Sequence, residues 1–162
     1  LHARLYEPPG RRRTIVPTSE IEPQKWRYTT TKPVDGWEQA GFDDSDWQTG
    51  EGGFGTKITP NTTVRTEWST NDLWVRRTFT LDETVSRPSL RLFHDEDAEV
   101  YINGTLVAKV EGYVVQYVEI PLSDESAHAL RRGENTIAVY CHQTTGGQYI
   151  DVGVVDLMPA SE

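Results

Sequence analysis

From Leu73 to Leu157 the chain passes through one short strand pattern after another. Leu73 to Leu81 alternates, so that Leu73, Val75, Phe79 and Leu81 share one face. Ser89 to Phe93, Ala98 to Ile102 and Leu106 to Val110 follow, and Tyr113 to Ile120 sets Val114, Val118 and Ile120 on one side. Asn135 to His142 and Gln148 to Leu157 complete the set. Asn103-Gly104 between two of these runs predicts a two-residue hairpin, because both central positions of a type I′ turn take positive φ. Ser123-Asp124-Glu125-Ser126 ahead of Ala127 to Leu130 predicts one short capped helix, closed by Gly133. Short strands in this density specify an all-β fold, an antiparallel β-sandwich.

Pro8-Pro9-Gly10, the Arg11-Arg12-Arg13 run and Pro17 predict an N-terminal arm or linker over residues 1–22, with one domain over 23–162. Trp26 to Thr70 reads as ordered, loop-dominated structure, with Trp26, Trp37 and Trp47 as aromatic plugs. A net charge of −9 argues against nucleic acid and against an anionic membrane surface. No apolar stretch approaches the roughly 20 residues a spanning helix needs. Cys141 is the only cysteine, so there is no internal disulfide and no thiolate zinc site; its apolar strand predicts an inert buried thiol. The chain starts at Leu1 without a leader, which suggests an excised module.

Parity adds two expectations. Arg77 shares the face of Val75 and Phe79, and a buried guanidinium needs a carboxylate, with Asp97 and Asp151 as candidates. His94 continues the Leu90 and Leu92 face, which turns its ring toward the interior edge.

Four stretches carry a resemblance: WRYTTTKPVDGWEQAGFDDSDWQTGEGGFG, TEWSTNDLWVRRTFTL, LRLFHDEDAEVYINGTLVAKVEGY and LRRGENTIAVYCHQTTGGQYIDVGVVDL. From about Trp26 to Leu157 they resemble the galactose-binding-like jelly roll, in particular the sugar-binding sandwich domains of family 2 glycoside hydrolases and related accessory modules of bacterial polysaccharide-degrading enzymes. The resemblance implies a jelly roll, a carbohydrate and the catalytic domain of a parent chain as partners, and an extracellular or periplasmic setting. It transfers no catalytic residue, because those lie in other domains of such enzymes.

The candidate site is a pair of polar segments. His94, Asp95, Glu96 and Asp97 stand where one strand hands over to the next. The run from Cys141 to Asp151 supplies His142, Gln143, Gln148 and Tyr149 around a Gly-Gly hinge. Carboxylates and amides can bond vicinal hydroxyls, while imidazole and phenol both stack and bond, so the two segments would make a sugar-recognition edge if they met. The plainer reading is a solvated corner beside a hairpin whose polar groups satisfy the backbone. Trp74 lies on the polar parity of its strand and is a candidate stacking platform. Asp151 is expected to be structural, as the Arg77 partner or a loop clamp. Asp43, Asp44 and Asp46, with Glu51 nearby, offer oxygen ligands for a structural calcium, and no other cofactor is expected. Asp95 and Asp97 resemble a glycosidase pair only formally, since nothing supplies a deep cleft and no nucleophile elbow, phosphate loop or zinc helix is present. The expected function is a non-catalytic carbohydrate-binding accessory module, with a ligand-free spacer that orients a catalytic domain as the alternative.

Overall fold

The computed structural model describes residues 10–159. Twelve strands form two six-stranded sheets. The first sheet holds β1 (Arg11–Val16), β4 (Phe54–Gly55), β5 (Thr66–Glu67), β7 (Pro88–Asp95), β10 (Val118–Pro121) and β12 (Tyr149–Met158). The second is ordered β3 (Gln48–Gly52), β2 (Gln24–Thr29), β6 (Asp72–Leu81), β11 (Gly133–His142), β8 (Asp97–Ile102) and β9 (Thr105–Val110). Pairing is antiparallel except between β4 and β5. The inner faces interdigitate Leu73, Val75, Phe79 and Leu81 with Leu90, Leu92, Ile150, Val152 and Val154, as alternation requires of a sandwich.

The hairpin forms as expected. Asn103 and Gly104 have φ of 49° and 84° and join β8 to β9. The Asn103 side chain does more than turn the chain, since it donates to Ala129 O and Asn135 Oδ1 and accepts from Thr136 N–H. The helix forms as α1 (Asp124–Ala127), with Ser123 Oγ accepting the Ser126 N–H at 3.0 Å, but it ends at His128, and Gly133, expected to close it, opens β11 instead. Cys141 is buried in the core, and burial pushes its thiol pKa up.

Four expectations change. Arg11–Val16 is not an arm but β1, paired from Arg11↔Met158 to Val16↔Val154. Residues 1–9 of that expected arm lie outside the described residues. The loop-rich stretch contains β2 and β3, built on inward Trp26 and half-buried Tyr28. Trp37 and Trp47 are half-buried and stack on each other at 6.5 Å, with Trp37 edge-on to Tyr101, so they cover a sheet face instead of plugging the core. Only the end of the Tyr113–Ile120 run is strand, because Gly112, at φ 73°, turns the chain ahead of it.

The arginine expectation also moves by one residue. Arg77 does point inward, but its guanidinium lies over the Trp26 ring at 5.5 Å and bonds Gln24 Oε1 at 3.2 Å, with no ion pair to Asp97 or Asp151. Burial holds Arg77 below its ordinary pKa, and the Asp151 charge opposes this. The buried guanidinium is Arg76, on the outer face and 2% exposed. Asp44 Oδ2 pairs with it at 2.9 Å, and it donates to the carbonyls of Trp37, Gln39 and Phe42.

Candidate functional site

The chain crosses between the sheets twice at one end of the sandwich. Asp95 ends β7 in the first sheet and Asp97 begins β8 in the second. His142 ends β11 in the second sheet, and Tyr149 begins β12 in the first. The crossings lie side by side, with Asp97↔His142 and Asp95↔Tyr149 in register. Thr144 Oγ1 donates to Glu96, and Asp95 Oδ2 lies 2.5 Å from where a β-carbon on Gly147 would stand. The two polar segments therefore meet.

What they form is mostly a brace. His94 is 5% exposed, and its Nδ1 faces two carbonyls, Glu96 O at 2.8 Å and Gly112 O at 3.0 Å. Both are acceptors, which places the ring proton on Nδ1. Gln143 donates to the carbonyls of Gly146 and Gly147 at 3.2 and 2.6 Å, and its buried Oε1 has no partner among the described residues. Gln148 donates to Thr70 O at 2.6 Å, and Tyr149, edge-on to Phe93, donates to Thr63 O at 3.0 Å. These four side chains are buried and spent on the protein's own backbone.

Trp74 departs from its expected role. It is 7% exposed and stacks on Tyr140 with ring centroids 5.2 Å apart and 17° between planes. The outward parity was right, but the neighbouring strand's ring covers it.

Four members of the expected set stay at the surface. Asp95 is half-buried, and burial followed by the Glu96 charge raises its carboxyl above the ordinary range, against the pull of His94. Glu96 holds Thr144, and Asp97 accepts the Gly112 N–H at 2.8 Å. His142 has 41% of its side chain exposed and is held by Asp72, with Nδ1 to Oδ1 at 2.8 Å. The same Asp72 oxygen takes the Tyr140 hydroxyl at 2.6 Å. Burial alone would raise the Asp72 pKa, yet these two bonds and the His142 charge lower it. Sequence reasoning missed Asp72, Tyr140 and Glu99; alternation from His142 along its own strand would have found Tyr140.

Asp151 is a loop clamp. It is 3% exposed and accepts the Ser19 N–H at 2.8 and 3.1 Å and the Tyr117 hydroxyl at 2.5 Å. The proposed calcium ligands do not converge. Asp43 accepts the Ser45 N–H, Asp44 serves Arg76, and Asp46 and Glu51 are exposed. Among the described residues no three His, Cys, Asp or Glu side chains are grouped to hold a metal ion.

No known family profile matches the sequence, and no curated protein does. Solved structures do match. A calcium-binding mutant of Bacteroides uniformis β-glucuronidase 2 superimposes with a TM-score of 0.63 at 20% identity, over 91% of this chain and 18% of that one. A Bacteroides vulgatus β-glycosidase gives 0.54 at 18% identity, over 90% and 20%. A β-glucuronidase from an uncultured Clostridium sp. gives 0.58 at 11% identity, over 98% and 31%. The fold is that of a sandwich portion of such enzymes. The chain spans about a fifth of the length of the first of these structures. Among the described residues no helix is long and apolar enough to cross a membrane.

Proposed function

We propose that this chain is a non-catalytic accessory module of a larger, secreted or periplasmic glycoside hydrolase, and that it docks on a catalytic neighbour and orients it. One observation carries the reading. At the end where the chain crosses between sheets, Ile58, Tyr113 and Val115 are 83%, 69% and 59% exposed. Their loops are tied together there: Asn61 Nδ2 donates to Val115 O at 3.2 Å, Tyr113 bridges to Asp95, and Thr59 bonds Gln148 O. Exposed apolar side chains on loops that are tied together suit a permanent neighbour better than water. Shared fold with part of glycosidases several times longer supports the kind of neighbour. Carbohydrate contact is the second reading, favoured by the outward-turned Asp97 and His142.

The test mixes the chain with the catalytic domain of its parent protein and measures association by calorimetry. Replacing Ile58, Tyr113 and Val115 together by serine should weaken it by about tenfold or more, as loss of a buried apolar anchor does. Unchanged association would sink the docking role, and release of reducing sugar by the isolated chain would sink the non-catalytic one.

A further inference from the structure

Near the β3 edge of the second sheet, the ladder between β2 and β6 stops early. Thr29↔Trp74, Tyr28↔Val75 and Arg27↔Arg76 are in register, but Gln24 to Trp26 have no partner on β6. The strands part there around a groove of about 310 Å³, lined by Lys25, Trp26, Arg27, Thr49, Arg77 and Thr78 together with Arg76. We propose that this groove is a site for a doubly charged tetrahedral oxyanion, phosphate or sulfate, held by Lys25, Arg27 and the free edge of the Arg77 guanidinium. The site depends neither on docking at Ile58, Tyr113 and Val115 nor on the carbohydrate reading.

Arg77 is the strongest pointer to an anion. A guanidinium drawn out of water is stabilised by an opposite charge, yet among the described residues no carboxylate pairs with it. Its Nη1 goes to a neutral acceptor, Gln24 Oε1, and its cationic carbon lies over the Trp26 ring. Nε and Nη2 have no acceptor among the described residues. Neither is sealed from outside, because the polar atoms sealed without a partner there are Arg13 Nε, Ser19 Oγ and Gln143 Oε1. Those two nitrogens form one edge of the guanidinium fork, the edge that takes an oxyanion through two parallel bonds. Burial holds the Arg77 pKa down, and the Asp151 charge offsets only part of this, which marks a cation short of compensation.

The neighbours of Arg77 point the same way. Lys25 and Arg27 enter no ion pair among the described residues, and Arg27 spends Nη1 on Trp47 O at 3.2 Å. Thr49 and Thr78 add hydroxyl donors, and no carboxylate lines the groove. Arg76 is already committed to Asp44 and three carbonyls. Glu51 is the register partner of Lys25, but the two form no ion pair. In a chain of net charge −9, three uncompensated cations on one groove are a local reversal of sign. Several fixed cations favour a dianion over a singly charged carboxylate, which fixes the ligand class.

The experiment is a nitrogen-15 NMR titration of the whole chain at low salt and slightly alkaline pH, where phosphate is doubly charged. Inorganic phosphate, sulfate, methyl phosphate and acetate are added, with chloride at equal ionic strength as the blank. Phosphate and sulfate should shift the amides of Lys25, Arg27, Arg77 and Thr78 and saturate, with acetate weaker by about tenfold or more. Methyl phosphate matching inorganic phosphate would support an ester-borne group as the ligand, and its exclusion would support the free ion. Arg77→Met, which keeps an apolar stem over Trp26, and Lys25→Ala should each weaken binding by about tenfold, while Arg12→Ala should leave it unchanged. A native amide spectrum away from the groove shows that each variant is folded. No shift beyond the chloride blank, shifts centred on Arg12 and Arg91, acetate binding as tightly as phosphate, or full affinity in folded Arg77→Met would each overturn the proposal.

Discussion

Asp151 is a carboxylate sealed under the Ser19 segment, where burial pushes its pKa up to about 6 despite hydrogen bonds from Tyr117 and Ser19. Its folded pKa lies above the ordinary 3.8, so the folded state holds the proton more tightly than the unfolded one. The resulting stabilisation is fully present below pH 3.8 and is lost as pH rises through about 6. A shift of this size corresponds to roughly 3 kcal/mol at the outside. Urea unfolding at acidic and neutral pH should show that loss in the native chain and a flatter profile in Asp151→Asn; identical profiles would refute the assignment. Asp44 offers a second case. Its carboxylate faces the 2%-exposed Arg76, so Asp44→Asn should cost about 2–4 kcal/mol in the same assay by leaving a buried guanidinium without its counter-charge. Added calcium should not rescue that variant, because the lost carboxylate serves a cation of the protein itself, Arg76.

Among the elements, the β8–β9 hairpin shows how local and distant demands fall on one residue. Asn103 supplies positive φ for the turn and also ties it to Ala129, Asn135 and Thr136. Asn103→Ala should therefore cost about 2–4 kcal/mol in thermal or urea unfolding, well beyond a turn residue alone, whereas Asn103→Gly should recover only the backbone share. The turn was legible in Asn-Gly, and the core faces of β6, β7 and β12 were legible in their alternation. Arg76 was not, because parity marks it as outward and only the folded Trp37–Asp44 loop covers that face. Trp74 failed in the same way: its face was readable, but a ring from β11 lying over it was not. β1 was hidden by proline and arginine neighbours, since its partner stands far along the chain at Val154 to Met158. In the candidate site, the meeting of the two polar segments followed from strand order. Which of their groups turned inward to serve carbonyls depended on loop geometry that no spacing encodes.

For the whole molecule, the first sheet is completed by pairing between β1 and β12, the first and last strands of the described residues. Arg11 is the register partner of Met158, so the two ends of the described chain lie on adjacent strands. Joining the ends by a short glycine-rich linker and opening the chain between the exposed Glu83 and Thr84 should give a permuted protein that still unfolds cooperatively, with Tm within about 10 °C of the parent; loss of the cooperative transition would refute the closed arrangement. β12 is bonded to β7 on one side and to β1 and β4 on the other. It is also the last strand of this sandwich to leave the ribosome. Until it emerges, β1 and β4 have no route into the sheet that holds β7. The β7–β10 pair, the β4–β5 pair and β1 stay unconnected within the first sheet until then, a window in which chaperone capture is expected and which closes when β12 joins them.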